Sequence, residues 1–185
     1  FRQHGAARTT ANVRHNRVPA MPYRTLSAAL LLVAASVCQA TEPLADALRA
    51  LDSGRHAQAA QLLMPLAGAG SPLAQYRLGM MHYNGQGVPE DEKQAIHWWK
   101  KAAAQGYVEA MFQLGSAYLF GSQAAKFVPD PDREAATWYF QAASSGHAEA
   151  QYHLGLLFLA GKGVLENRQE AARWMRKAAG QGHPE

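Results

Sequence analysis

Residues 74–106 read AQYRLGMMHYNGQGVPEDEKQAIHWWKKAAAQG, and two close copies of this stretch follow it along the chain. The Leu-Gly pair at Leu78 recurs 36 residues later at Leu114 and another 40 residues later at Leu154. A period of about 20–50 residues is typical of an array of stacked supersecondary units. We therefore divide this part of the chain into repeat 1 (71–106), repeat 2 (107–146) and repeat 3 (147–182).

Each copy predicts a first helix whose apolar residues lie on one stripe. Ala74, Leu78 and His82 are spaced at i, i+4 and i+8, which places them on the same face of an α-helix. Gly79 lies in the middle of this helix, where glycine costs about 1 kcal/mol relative to alanine. Because the glycine recurs in each copy, we expect a neighbouring helix to approach closely at that point.

A second helix follows in each copy and carries a tryptophan. Trp98 lies between Ala95 and Ala102 on a predicted inward stripe. Burial of such a side chain contributes about 1.5–3 kcal/mol or more, so we expect the tryptophans to anchor the stack. The predicted repeat core consists of Ala74, Leu78, Gly79, Trp98, Leu114, Gly115, Tyr118, Trp138, Leu154, Gly155, Phe158 and Trp174.

The loop between the two helices differs in repeat 2. Repeats 1 and 3 have matching Gly-x-Gly-Val loops at residues 85–88 and 161–164, whereas the loop at 121–128 is four residues longer. Insertions of this kind map to one face of an array. The second helices are predicted to begin after the N-cap residues Asp91, Asp130 and Asn167.

Residues 44–70 predict an atypical leading helix pair. Leu44–Leu51 and Ala57–Ala69 have helical apolar spacing, and Pro65 is expected to kink or interrupt the second of these helices. Ser71 followed by Pro72 suits an N-cap and a first-turn proline at the start of repeat 1.

Taken together, the pattern A-x-x-x-L-G, then G-x-G-V, then A-x-x-W-x-x-x-A-A-x-x-G resembles the Sel-one-like repeat, a relative of the tetratricopeptide repeat. The resemblance covers the chain from about Leu44 to its end, with three full copies and a degenerate leader. It implies an all-α, right-handed α-solenoid of stacked antiparallel helix pairs. It also implies a scaffold that presents a groove to a protein or peptide. The departures are His82, at a position where the family has an aromatic residue, and the longer loop at 122–127.

The charges and the apolar run near the start of the chain predict export. Residues 1–40 contain five arginines and no acidic residue, so residues 41–185 carry 13 Lys/Arg against 14 Asp/Glu. This near-neutral balance argues against nucleic acid as a partner. Residues 21–40 have the order of a secretory signal peptide, with an arginine, an apolar run over 26–37 and a cleavage site after Ala40. We expect a periplasmic or secreted protein.

Other interpretations of the two ends remain open. The 12-residue apolar run is shorter than the ~20 residues that span a bilayer, so a membrane anchor is the weaker alternative, as is acylation of Cys38. Residues 1–20 are expected to be a disordered or untranslated leader, with a transit peptide as the alternative. Residues 183–185 repeat the opening of a further copy, which predicts a truncated array or a missing partner at that end.

We expect partner contacts on the first helices, next to the core stripe. Met80, Tyr83 and Leu119 are favoured because they vary between repeats. An aromatic residue two positions before each Leu-Gly pair could serve the partner or pack between repeats, and packing is preferred. The candidate partner-binding residues are Met80, Tyr83, Phe112, Leu119, Tyr76, Tyr152, Leu156 and Leu159.

The sequence contains no recognisable catalytic set. It has no S-x-x-K, G-x-S-x-G, H-E-x-x-H or phosphate-loop motif, so no enzyme activity, cofactor or metal is predicted. Ligation by His82 with His97, or by His153 with Glu149, is the minor alternative. A hydrolase of β-lactam or peptidoglycan substrates that uses Ser116, His82 or Glu109 is the alternative function. A purely structural fragment of a longer array is a third.

Overall fold

The computed structural model describes residues 43–183, and every regular element in that range is helical. The predictions for residues 1–20, for the signal peptide at 21–40 and for residues 184–185 lie outside the described residues. The elements are α1 (43–52), α2 (His56–Gly68), α3 (Pro72–Asn84), α4 (Glu92–Ala103), α5 (Val108–Phe120), a 3-10 helix (Ala124–Phe127), α6 (Pro131–Ser144), α7 (Ala148–Ala160) and α8 (Arg168–Ala179).

Polar side chains cap the starts of α3, α4, α6 and α8 as predicted. The Ser71 hydroxyl accepts a hydrogen bond from the Ala74 amide at 3.4 Å, ahead of α3. Asp91, Asp130 and Asn167 accept amide hydrogen bonds at the starts of α4, α6 and α8. Each cap satisfies an N–H that has no partner within the helix. The leading pair also forms, and α2 continues through Pro65 without interruption.

Helices that follow one another in the chain pack against one another, from α2 with α3 to α7 with α8. An alanine at the same position of each second helix is completely buried: Ala59 in the leading pair, then Ala95, Ala135 and Ala171. Small side chains at this seam let the helix axes approach closely. The result is an α-solenoid in which each helix pair contacts its neighbours along the array.

The close approach predicted at the mid-helix glycines is confirmed, but the residue that makes it was not predicted. A Cβ at Gly79 would lie 2.5 Å from the indole of Trp99, and a Cβ at Gly115 would lie 2.7 Å from the ring of Tyr139. A Cβ at Gly155 would likewise meet Met175 at 2.7 Å. Glycine is therefore required because a large side chain of the second helix occupies the space of a Cβ.

This arrangement corrects the predicted inward stripe of the second helices. Trp99 and Tyr139 are completely buried, whereas Trp98 and Trp138, which precede them, pack against the core but stay half-buried. Trp174 is the exception, because it is buried in repeat 3. The principal aromatic anchors of repeats 1 and 2 therefore lie one residue later than the sequence pattern indicated.

The first-helix stripe needs a smaller correction. Leu78, Leu114 and Leu154 are buried as expected. In repeat 1 the stripe continues through Met81, which is 1% exposed, while His82 is half-buried and its Nδ1 lies 3.4 Å from the Pro89 carbonyl oxygen. The replacement of an aromatic residue by histidine is thus accommodated at the edge of the core.

The interhelical loops rest on the start of the preceding second helix. In repeat 1 the backbone of Gly87 lies against His56 and Ala57, with no room for a Cβ. In repeat 2 the additional residues form the 3-10 helix, and Ala124 within it is completely buried. Within residues 43–183, no helix is long and apolar enough to cross a bilayer.

Candidate functional site on the first-helix face

Four large apolar side chains of the first helices are exposed on the array. Tyr83 of α3 is 37% exposed, Phe120 of α5 is 68% exposed, and Leu156 and Leu159 of α7 are 38% and 45% exposed. We call these four residues together the first-helix face. Surface patches of grouped apolar side chains mark interaction sites more often than scattered single residues do.

Three of the predicted contact residues instead connect neighbouring repeats. Phe112 stacks on His147 at a centroid distance of 4.6 Å, and Tyr76 lies 5.1 Å from Tyr107. Tyr152 stacks on His183 at 4.7 Å. Tyr107 and His147 directly precede the first helices α5 and α7 of the following repeats. His183 occupies the equivalent position after repeat 3. These ring contacts are of the kind that the preferred interpretation, packing between repeats, requires.

The other five predicted contact residues differ in how far they are exposed. Tyr83, Leu156 and Leu159 are exposed, whereas Met80 and Leu119 are half-buried and pack against the core. Phe120 is the most exposed residue of the face and was missed. The equivalent residues in repeats 1 and 3 are Asn84 and Ala160, so the repeat pattern does not predict an aromatic residue at this position. Phe120 could have been found as a phenylalanine that replaces a polar or small residue in repeat 2 only.

A polar pair joins α5 to α6 in repeat 2. The hydroxyls of Ser116 and Tyr139 are 3.0 Å apart, and the ring of His153 stacks on Tyr139 at 5.2 Å with 9° between the planes. Phe112 and Phe120 also lie against His153, at 6.0 and 6.2 Å. Aromatic side chains from α5 and α6 thus enclose a histidine of α7.

Burial sets the ionisation of these groups. It raises the pKa of Tyr139 to about 12, against a smaller opposing effect of the Ser116 hydrogen bond. It lowers the pKa of His153 below its usual value, while the charge of Glu149 acts in the opposite direction. The pKa of His147 is lowered for the same reason. We therefore expect the phenol to be protonated and both imidazoles to be neutral near pH 7.

This chemistry is poorly suited to nucleophilic catalysis. The Ser116 hydroxyl is hydrogen-bonded to a neutral phenol, which cannot accept its proton as a general base. His82 belongs to repeat 1, where it contacts the Pro89 carbonyl oxygen, and Glu109 is an exposed residue in the first turn of α5. In the part of the chain that the structure describes, no three His, Cys, Asp or Glu side chains are grouped as a metal site would require.

The family model of the Sel1 repeat matches residues 72–107, 108–147 and 148–183. The chain belongs to the Sel1 repeat family. These ranges begin one residue after those drawn from the sequence. Sel1 repeat proteins generally mediate protein–protein interaction, and the family is typically a non-enzymatic scaffold.

Solved structures of the same family resemble the chain. A Sel1 repeat protein from Oxalobacter formigenes is 33% identical with a TM-score of 0.68, and the match covers 76% of this chain and 55% of that one. The protective antigen c5321 of uropathogenic Escherichia coli strains, which displays an SLR fold, is 35% identical with a TM-score of 0.62. That match covers 66% of this chain and 26% of the antigen.

The chain thus spans about a quarter to about half of the length of these two proteins. No match was found among curated proteins.

Proposed function

We propose that the chain is an exported, non-enzymatic scaffold of the bacterial cell envelope, whose right-handed α-solenoid binds a protein or peptide through the first-helix face. The observation that carries this proposal is the exposure of Tyr83, Phe120, Leu156 and Leu159 on helices that are otherwise well packed. Aromatic and aliphatic side chains on a rigid support lose little conformational entropy on binding, which favours their use as anchors.

The packing between repeats supports a preformed surface. Phe112 and His153 are held by ring contacts on both sides, and Tyr139 beneath them is completely buried. Phe120 extends from this rigid base with 68% of its surface exposed. A partner side chain can therefore dock against Phe120 without first ordering the helices that carry it.

The envelope location rests on the sequence of residues 21–40, which has the order of a cleavable signal peptide. An envelope protein meets its partners outside the cytoplasm, so the test must use envelope material. N-terminal sequencing of the purified protein would establish whether cleavage occurs after Ala40. Detection of an intact N-terminus on exported protein would contradict a cleavable signal.

Affinity capture with matched variants tests the proposed face. The first variant combines Tyr83→Ser, Phe120→Ser and Leu156→Ser. The control combines Met64→Ser, Phe140→Ser and Leu165→Ser, which removes three apolar side chains that are 45%, 51% and 90% exposed but lie on second helices or a loop. Proteins bound from envelope extract would be identified by mass spectrometry, and circular dichroism would verify the helix content of each variant.

We expect the wild type and the control to retain the same partner and the first variant to lose it. Equal capture by both variants would contradict the assignment of the face. Hydrolysis of nitrocefin or peptidoglycan by the purified protein, abolished by Ser116→Ala, would favour the alternative function and overturn the scaffold proposal.

A further inference from the structure

A groove recurs on the array where the second helix of one repeat faces the loop of the next. One groove lies between α2 and the loop of repeat 1, and another between α6 and the loop of repeat 3. Between them, α4 and the extended loop of repeat 2 enclose a cavity of about 260 Å³. We call this third one the repeat 2 loop groove. Its lining comes mostly from α4 and the loop and includes none of the four residues of the first-helix face.

Basic side chains line the repeat 2 loop groove. Lys93, His97 and Lys100 project from α4 at positions i, i+4 and i+7, which share one face of the helix. Its other lining residues are apolar or aromatic, and no carboxylate is among them.

Residues at the equivalent positions of the other two grooves differ in charge. The groove at α2 has Ala57, Gln61 and Met64 in place of the three basic residues. The groove at α6 has Arg133, Thr137 and Phe140. The concentration of positive charge is therefore a property of the groove that the loop insertion completes.

The cations lie over aromatic rings of the groove. The Lys93 ammonium is 5.4 Å from the ring centroid of Phe127, and the Lys100 ammonium is 5.6 Å from that of Tyr118. Such contacts orient a lysine while leaving its charge available to an anion. Phe127 is also 57% exposed, so an apolar side chain can lie against it.

Glu92 fixes the wall of the groove. Its carboxylate accepts hydrogen bonds from the Ala124 amide at 2.7 Å, the Gln123 amide at 3.0 Å and the Ser122 hydroxyl at 3.3 Å. These bonds direct the negative charge of Glu92 into the loop and away from the two lysines. The loop that carries Phe127 is thus attached to α4 before any ligand arrives.

We propose that the repeat 2 loop groove binds an acidic peptide segment, with carboxylates paired to Lys93 and Lys100 and an apolar side chain against Phe127. Seven residues of α-helix separate the two lysine backbones by about 10 Å. In a polyproline II segment, residues i and i+3 lie on the same side about 9 Å apart. Two glutamates three residues apart therefore match the spacing of the lysines.

A peptide fits this groove better than a polyanion does. Residues 41–185 carry 13 Lys/Arg against 14 Asp/Glu, so the surrounding surface offers no extended positive field for nucleic acid. The aromatic walls also require an apolar group between the two negative charges. A short acidic segment with an apolar residue between its glutamates supplies both.

Fluorescence polarisation with a labelled peptide GEPLEPG tests the proposal on the full chain. The variants are Lys93→Glu with Lys100→Glu, and Phe127→Ser alone, which keeps the test decisive if the charge reversal disturbs folding. Arg133→Glu in the equivalent groove at α6 is the matched control. A second peptide, GQPLQPG, and a labelled dT12 oligonucleotide serve as the other ligands.

We expect the lysine double variant and the glutamine peptide each to weaken binding by about tenfold or more, and Phe127→Ser by about threefold. Arg133→Glu and the first-helix triple variant should bind as the wild type does, which separates this proposal from the function proposed above. The proposal is wrong if the wild type does not bind at millimolar peptide. It is also wrong if the lysine double variant binds equally well, or if dT12 binds more tightly than the peptide.

Discussion

Repeats 1 and 3 share a hydrogen-bonded pair of glutamines that repeat 2 replaces with other residues. In repeat 1 the side chain of Gln75 is buried, donates to the Ala67 carbonyl at 3.0 Å and accepts from the Gln105 amide group at 2.8 Å. Gln151 and Gln181 repeat this arrangement at the same distances. Repeat 2 instead has Met111 and Ser145 at these positions.

The loops differ in the same way. Repeats 1 and 3 hold their loops by direct backbone contact at Gly87 and Gly163, whereas repeat 2 attaches its loop through the Glu92 carboxylate. The equivalent junctions are therefore made by unrelated chemistry. An array of this kind therefore requires each junction to be filled and its hydrogen-bonding groups to be paired, but it does not require the same side chains at every junction. Repeat 2 is accordingly the place where new surface features, such as Phe120 and the loop groove, can arise.

The largest effect is expected at Trp99, the completely buried aromatic anchor of repeat 1. Trp99→Ala removes a completely buried indole that packs on Gly79, so the free energy of unfolding should fall by about 3–5 kcal/mol. Trp98→Ala removes a half-buried side chain and should cost only about 1–2 kcal/mol. Urea denaturation measures both values. Equal losses in the free energy of unfolding for the two variants would mean that Trp99 is not the principal anchor of repeat 1.

The loop glycines of repeat 1 should show the next largest effect. Gly87 has φ of +72°, and a Cβ there would collide with the backbone of His56 and Ala57. We expect Gly87→Ala to cost about 2–4 kcal/mol, because left-handed strain and overpacking add.

Gly85→Ala provides the control for this measurement. Gly85 has a similar φ of +64°, but its nearest neighbour would be the Cβ of Glu90 at 3.3 Å. Its cost should be about 1–2 kcal/mol, from backbone strain alone. Thermal and urea unfolding would measure the loss of stability in each variant. Equal losses would contradict a close backbone contact at Gly87.

A double-mutant cycle can replace the glutamine pair of repeat 1 by the methionine and serine found at the same positions of repeat 2. Gln75→Met and Gln105→Ser should each cost about 1 kcal/mol, since each leaves a polar group without its partner. The double variant should cost about 0.5–1 kcal/mol less than the sum of the two, because both members of the pair are then removed. Strict additivity would show that the two glutamines act independently.

The smallest expected effect is a pH dependence that involves two histidines at the junction of repeats 2 and 3. The Nδ1 atom of His147 accepts a hydrogen bond from the Ala150 amide at 3.2 Å, which requires an unprotonated imidazole. Burial lowers the pKa of His147 and of His153, although Glu149 opposes this in both cases and Glu109 opposes it at His147.

The sign of the effect follows from these directions. The unfolded chain binds protons to these histidines at a pH where the folded chain does not, so stability is lost as the pH falls from about 7 through the lowered values. The double variant His147→Tyr and His153→Gln introduces the residues found at the preceding junction, Tyr107 and Gln113. Its loss of stability between about pH 7.5 and pH 5.5 should be smaller than that of the wild type. An unchanged loss in urea titrations would assign the pH dependence to other groups.

Most of the fold could be predicted from the repeat pattern, but the candidate site could not. The helix starts at Asp91, Asp130 and Asn167 depend on local hydrogen bonds, so residue type and position were sufficient to find them. Phe120 was missed because it belongs to one repeat only. The stacking of Phe112 on His147 joins residues 35 positions apart in the chain, and no local pattern reports that contact.

The number of repeats, the order of helices and the need for a close approach at Gly79 follow from the sequence alone, because they depend on periodicity and on the intrinsic cost of glycine in a helix. The tertiary packing is what brings Trp99, rather than Trp98, into contact with Gly79. Adjacent residues on a helix are about 100° apart, so both flank the same alanine stripe and both satisfy its period. The facing helix selects between them, because the indole of Trp99 occupies the space that a Cβ at Gly79 would fill.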